Sequence, residues 1–267
     1  MSSSTVRKVG VVGWGAIGRV VGTALAEGRI AGAELVCIVD NRPLGEAAPA
    51  RQVPFEEALE LCDLIVEAAG QGVVREWGER ILDSGTDLLV ASTGALTDDE
   101  LGGRLLAAGP GRVYFTGGAV GGLDLLQAAR SMGPLDEVRL TTTKLPATLE
   151  QPWMDEELLT RMRNATGPVE IMSGTARDVP VKFPKSTNVA ASVALAVGDL
   201  DTVRVQVVAD PAADRTRHVV EASGPHGAYR FEVAHRPDPG NPATSQVVPH
   251  AVLRSLGALA GRTGQIL

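Results

Sequence analysis

Lys8-Val9-Gly10-Val11-Val12-Gly13-Trp14-Gly15-Ala16-Ile17-Gly18 sets an apolar run directly against a Gly-x-Gly-x-x-Gly turn, and the helix-compatible stretch from Ala16 to Gly28 follows. A second apolar run, Glu34-Leu35-Val36-Cys37-Ile38-Val39, ends at Asp40, about 20 residues beyond the glycines. A chain with 31 glycines in 267 residues produces such patterns by chance, so the position between strand and helix carries the weight. In that position Gly13 makes the tight turn, Gly15 lets the backbone approach a pyrophosphate, and Gly18 lets the helix pack on the strand. The first helical N–H groups, from Ala16 and Ile17 onward, then face the anion at the positive end of the helix dipole. The Asp40 carboxylate is expected to accept hydrogen bonds from the adenosine ribose, which favours NAD because a 2′-phosphate would be repelled. Arg42, next to Asn41, could reach a 2′-phosphate with its planar fork of donors, so NADP stays open.

The bulk properties bound the rest. A chain of 267 residues can bury a substantial core, and two domains are expected. Its 44% hydrophobic and 21% charged content is that of a soluble globular protein, and 3% aromatic content makes the core aliphatic. A net charge of -7 argues against a general nucleic-acid or anionic-membrane surface and requires local cations for any anionic substrate. The Met-Ser-Ser-Ser start lacks the basic and apolar regions of a secretory signal, and no apolar run approaches the roughly 20 residues that span a bilayer. The cytoplasm is the expected location. Cys37 and Cys62 read as small core residues without metal-ligand spacing, able to pair only if the fold brings them together.

The alternation that starts at Lys8 continues through a helix from Phe55 to Cys62, a strand from Asp63 to Ala68, and a helix from Val73 to Ser84. Next come a strand from Asp87 to Ala91, a helix from Asp98 to Ala108 and a strand from Arg112 to Phe115. Continuous apolar strands alternating with helices predict a parallel sheet covered on both faces. Its strand ends carry glycine or polar segments, Ala69-Gly70-Gln71-Gly72 among them, where an open parallel sheet forms its ligand crevice. Simple turn chemistry explains those glycines equally well. From about residues 118 to 122 the pattern changes. A helix from Leu123 to Met132, a strand from Glu137 to Lys144 and a helix from Asp155 to Asn164 precede strands at Thr202 to Val208, His218 to Ala222 and Ala228 to Val233. The last two flank a Gly224-Pro225-His226-Gly227 turn, the signal of an antiparallel hairpin. The fold class is therefore α/β: a Rossmann-type parallel-sheet domain over 1–120, a second α+β domain with a mainly antiparallel sheet over 121–245, and a C-terminal helix within 246–267 that packs back on the first.

Proton-transfer chemistry falls to four histidines. His218 is modestly favoured by its place in the second domain, and a half-buried strand histidine is its plain reading. His226, His235 and His250 read as turn, strand-end and helix-start residues. The chain has only four lysines, two of them in Lys182-Phe183-Pro184-Lys185-Ser186-Thr187-Asn188-Val189, ahead of an apolar helix from Val189 to Val197. Thr187 or Asn188 would cap that helix, and the Asn188 carboxamide could instead bond a nicotinamide amide or a substrate. Lys144, Lys182, Lys185 and Arg177 could together neutralise a dicarboxylate, although each alone reads as a solvated cation. Metal-binding and nucleophile-elbow patterns are absent from the sequence, which suits hydride transfer, where the cofactor supplies the hard chemistry and the protein a proton path.

Several segments together resemble the L-aspartate dehydrogenase family. They are Gly13 to Gly18, Gly117-Gly118-Ala119-Val120-Gly121-Gly122-Leu123-Asp124, Phe183 to Ala191, His218, and Asn241-Pro242-Ala243-Thr244-Ser245. The resemblance implies a homodimer that oxidises L-aspartate to iminosuccinate, and so to oxaloacetate and ammonia, with NAD or NADP, and whose product can feed NAD biosynthesis. It also implies nicotinamide-nucleotide contacts at Ala119 and Asn188 and a catalytic role for His218. Thr143 and Leu145 stand where relatives carry an arginine and a proline, with Lys144 kept, so the substrate-binding candidates are Lys144, Lys185 and Asn188. A related amino-acid dehydrogenase or imine reductase, or a non-catalytic NAD-binding sensor, are the alternatives that substrate assays separate.

Overall fold

The computed structural model describes residues 6–183, 188–238 and 241–261. The chain divides into two compact units, Met1–Thr116 with Val248–Leu267, and Gly117–Val247. The first unit alternates β1 (Arg7–Val12), α1 (Ala16–Ala26), β2 (Ala33–Val39), α2 (Phe55–Leu61), β3 (Leu64–Glu67), α3 (Gln71–Asp83), β4 (Asp87–Val90), α4 (Asp99–Ala107) and β5 (Val113–Phe115). Its five strands are all parallel, in the order β2-β1-β3-β4-β5. The apolar strands Val9 to Val12, Leu64 to Val66 and Leu88 to Val90 are buried throughout, as strands covered on both faces must be. Since β1 lies between β2 and β3, the winding reverses there, and a crevice opens beyond the carboxyl ends of β1 and β3.

The second unit holds α5 (Leu123–Met132), β6 (Glu137–Lys144), α6 (Glu156–Arg163), β7 (Val169–Thr175), α7 (Asp178–Lys182), α8 (Asn188–Val197), β8 (Val203–Ala209), β9 (Thr216–Gly224), β10 (Gly227–His235), β11 (Pro237–Asp238) and β12 (Asn241–Ser245). Its main sheet runs β10-β9-β6-β8-β7. Only the β6–β8 pair is parallel. Strand alternation sorts β6: Val138, Leu140, Thr142 and Lys144 are buried, whereas Glu137 and Arg139 are exposed. The nearly all-buried α8 packs against α5 and β8. A final helix, α9 (Val248–Leu259), belongs to the first unit, where Val252 and Leu256 join Val9, Val11, Val21 and Leu25 in one apolar cluster.

The chain is thus α/β, a Rossmann-type parallel sheet plus an α+β unit with a mainly antiparallel sheet. Among the described residues no helix is long and apolar enough to cross a membrane. Two local readings change. His218 is the third residue of β9 rather than its first, because the strand begins at Thr216. The two cysteines do meet: Cys37 on β2 and Cys62 just after α2 are buried with their sulfurs 3.5 Å apart.

Candidate active site

At the end of β1 two of the three glycines are enforced by sterics. Gly13 has φ +94, and a Cβ there would press within 2.7 Å of the Ala68 backbone. A Cβ on Gly18 would stand 1.8 Å from the Gly13 carbonyl oxygen. Gly15 is different, with nothing within 4 Å of where its Cβ would be, so the space in front of it is open. Neither α1 nor α3 has a side-chain cap, and the caps are Gly15 and Gly70, whereas α4 and α6 are capped by Asp98 and Asp155. The two helices that border the crevice therefore start without a capping side chain. Gly70, at φ +122, starts α3 from a conformation that side chains resist.

A cavity of about 600 Å³ lies here, lined by Gly13, Gly15, Asp40, Asn41, Arg42 and Ala69 among others. Phe55 and Trp77 stack at 4.0 Å and 19° along its apolar wall. Ala16, Ile17 and Gly18 follow in the first turn of α1, and Gly70 at the foot of α3. The residues present fit a dinucleotide: an open glycine cradle and uncapped helix ends for phosphates, and a flat aromatic wall for a ring.

Two acids sit at strand ends in this unit. Asp40 Oδ2 accepts the Trp14 N–H at 2.7 Å, while Oδ1 accepts the Arg42 N–H at 2.9 Å and its Nε–H at 3.2 Å. Burial pushes the Asp40 carboxyl up, but those donors outweigh it and hold it below the ordinary value. Asp40 thus ties the glycine turn to the end of β2. Glu67, the last residue of β3, was not singled out by the sequence. It is fully buried, and its carboxylate accepts N–H donors from Ala69 at 2.9 Å, Gly70 at 2.7 Å and Ser92 at 2.9 Å, and the Ser92 hydroxyl at 2.9 Å. Burial raises its pKa against the pull of those donors. The one sequence signal was an acid closing the apolar run Leu64-Ile65-Val66 just before Ala-Ala-Gly.

In the second unit, β6 and β9 pair antiparallel with Thr142 opposite His218. The Thr142 hydroxyl lies 3.0 Å from His218 Nδ1, and both residues are buried. Lys144, two residues on and so on the same face, is 3% exposed, an unusual place for an ammonium. Burial lowers its pKa to about 8. Burial, and then the charges of Lys144 and His235, lower that of His218 to about 3. The imidazole is therefore neutral at physiological pH, and a base rather than a charged acid. Thr143 stands on the opposite face, paired with Val208 and Arg217, away from His218.

The expected cationic group is not assembled as a set. Arg177 is bound to Asp201 through two bonds of 2.9 Å, and the Lys182 ammonium lies 5.8 Å above the Trp153 ring. Lys185 and Thr187 lie outside the described residues. Asn188 is the half-buried first residue of α8, and Ala119 is buried after β5; both belong to the second unit, with His218 and Lys144, and not with the glycine turn.

Residues 124–259 match the family model described as aspartate dehydrogenase, C-terminal, and residues 13–111 match that of the homoserine dehydrogenase NAD binding domain. The chain is 38% identical over 200 residues to L-aspartate dehydrogenase 2 of Bordetella pertussis, with 73% of each chain covered. It is 32% identical over 261 residues to the L-aspartate dehydrogenase of Methanosarcina barkeri, covering 93% of this chain and 95% of that one. The crystal structure of aspartate dehydrogenase from Thermotoga maritima superposes with a TM-score of 0.73 at 26% identity, over 98% of each chain. A glycine cradle made for a dinucleotide, a buried neutral histidine beside a buried lysine, and these likenesses over most of its length agree: the chain belongs to the aspartate dehydrogenase family of NAD(P)-dependent oxidoreductases.

Proposed function

We propose that this chain catalyses the oxidative deamination of L-aspartate to iminosuccinate, and hence to oxaloacetate and ammonia, or the reverse reductive amination, with His218 as the proton relay. The observation that carries it is the buried His218–Thr142–Lys144 group on one face of β6 and β9. Gly13, Gly15, Ala16, Ile17, Gly18, Asp40, Asn41, Arg42, Ala69 and Gly70 would hold the nucleotide, with Ala119 and Asn188 on its nicotinamide side. When bound, the nicotinamide supplies the acceptor for the hydride that leaves the substrate α-carbon. Thr142 fixes the imidazole: with Nδ1–H donating to its hydroxyl, Nε2 keeps the lone pair. As water adds to the imine carbon, Nε2 takes the water proton and then returns a proton to the departing ammonia. Lys144, still largely an ammonium at neutral pH, holds a substrate carboxylate, with Asn188 and Lys185 as further candidates.

The family resemblance also supports a homodimer working in the cytoplasm, with the first unit as cofactor domain and the second as substrate and dimerisation domain. Steady-state assays with both cofactors across aspartate, glutamate and alanine, and across their oxo acids with ammonia, test the reaction. Aspartate and oxaloacetate should lead their one-methylene-longer homologues by at least about tenfold in kcat/KM. Equal rates would give the chain to a broader amino-acid dehydrogenase, and no turnover with any of them would make it a binding protein.

A further inference from the structure

Lys144 ends β6 with its side chain buried on the face that carries Thr142 and His218. Its strand neighbours there are apolar. β8 runs parallel beside β6 and sets Val207 against Thr142 and Ala209 against Lys144, both fully buried. α8, which packs on β8, has no ionisable residue between Asn188 and Val197. At this end of the sheet, the titratable groups that the strands bring to the face are Lys144, His218 on β9 and His235. The last ends β10, two residues beyond Val233, the partner of His218. The charges of Lys144 and His235 both act on His218. Asp210, just after β8, donates its N–H to the Lys144 carbonyl at 2.9 Å, and its carboxylate accepts the Ala212 N–H at 2.9 Å. Arg217 pairs with Thr143 on the other face.

A lysine in such surroundings has two uses: as an ammonium it holds a carboxylate, and as an amine it attacks a carbonyl. With burial lowering its pKa to about 8, about one Lys144 in ten is the amine at pH 7, against about one in 3,000 for a lysine at 10.5. The oxo acid of the proposed reaction has a carbonyl at C2 and a carboxylate on C3, the arrangement in which an amine promotes cleavage of the C3–C4 bond. We propose that Lys144 forms an imine with such 2-oxo acids and so gives the chain a second activity, the decarboxylation of oxaloacetate to pyruvate. The inference rests on the substrate reading of the Lys144 and His218 face. Lys144 Nζ adds to C2, and the carbonyl oxygen leaves as water with one proton taken up, forming a protonated imine. The C3–C4 bond then breaks, its electron pair moves into the imine to give an enamine, and C4 leaves as carbon dioxide. A proton adds at C3, and hydrolysis frees pyruvate and the amine, for a net uptake of one proton. The apolar wall favours the bond-breaking step, because a carboxylate there becomes a neutral molecule.

The test is trapping: the full chain is incubated with oxaloacetate and cyanoborohydride, and the adduct is mapped by mass spectrometry. The chain has only four lysines, so Lys8, Lys182 and Lys185 serve as internal controls. The reduced adduct should sit on Lys144 alone and rise about 5-fold from pH 7 to pH 8, as the amine fraction does. Pyruvate formation is followed without ammonia or nucleotide, and with a chelator to exclude stray metals. It should exceed that of Lys144→Arg and Lys144→Met by about 10-fold or more. The arginine keeps a cation for the carboxylate but forms no imine. Absence of an adduct on Lys144 in wild type, or adducts spread evenly over the four lysines, overturns the proposal. So does pyruvate formation equal in wild type and both variants. Amination of oxaloacetate by NADH and ammonia, measured on the same wild type, separates the two readings. Amination without the adduct removes the imine and leaves the dehydrogenase standing, whereas the adduct without amination supports the imine and removes the dehydrogenase.

Discussion

Lys144 and His218 share a buried patch of β6 and β9, and each is neutral more readily than it would be in water. For Lys144 the cause is burial, which lowers its pKa from 10.5 to about 8. Below pH 8 both the folded and unfolded chains carry the proton, so the whole cost of burying the charge is felt. Between about 8 and 10.5 only the unfolded chain keeps it, and stability rises with pH. Lys144→Met should accordingly be more stable than wild type at pH 7, by a few degrees in Tm, with the difference closing as pH approaches 10.5. The same residue should carry substrate. Succinate, a dicarboxylate without an amine of its own to titrate, should bind wild type more weakly as pH rises through 8 and bind Lys144→Met about 10-fold more weakly or worse at pH 7. Flat succinate binding across that range, in wild type, would take Lys144 out of the substrate site.

At the scale of elements, the strand ends of the parallel sheet are joined through side chains as well as through the sheet. Glu67 gathers three backbone amides and a hydroxyl from the turns after β3 and β4. Glu67→Gln places an amide NH₂ where donors converge, so it should cost about 1–3 kcal/mol in urea unfolding and weaken both nucleotides together. Unchanged stability would show the turns to be held by the backbone alone. This residue also marks where the sequence stops being legible. Strands β1, β3 and β4 could be read because a strand covered on both faces is apolar at every position. Strand β7 could not, since Val169-Glu170-Ile171-Met172-Ser173-Gly174-Thr175 breaks its alternation at a register shift between Glu170 and Met172. Nor could β12, whose Asn-Pro start reads as a turn. The glycine cradle was legible because its chemistry is local. His218 owed its rank mainly to family likeness, and the Ser92 bonds of Glu67 and the Thr142 partner of His218 were invisible because they span 25 and 76 residues.

The whole molecule carries a net charge of -7, yet the proposed substrate and cofactor are both anions. Such binding needs cations placed against the general field, and the proposed function gives that part to Lys144 in the second unit. The glycine turn lies in the first unit and His218 in the second. That division makes binding and turnover separable by substitution. The decisive measurement is kcat for L-aspartate alongside the dissociation constant for NADH, in wild type, His218→Ala and the bulkier His218→Gln. Both variants should lose about 10²- to 10⁴-fold in kcat while NADH affinity stays within about 2-fold, since the imidazole moves a proton and belongs to the other unit. Near-wild-type turnover in either folded variant would contradict the proton relay.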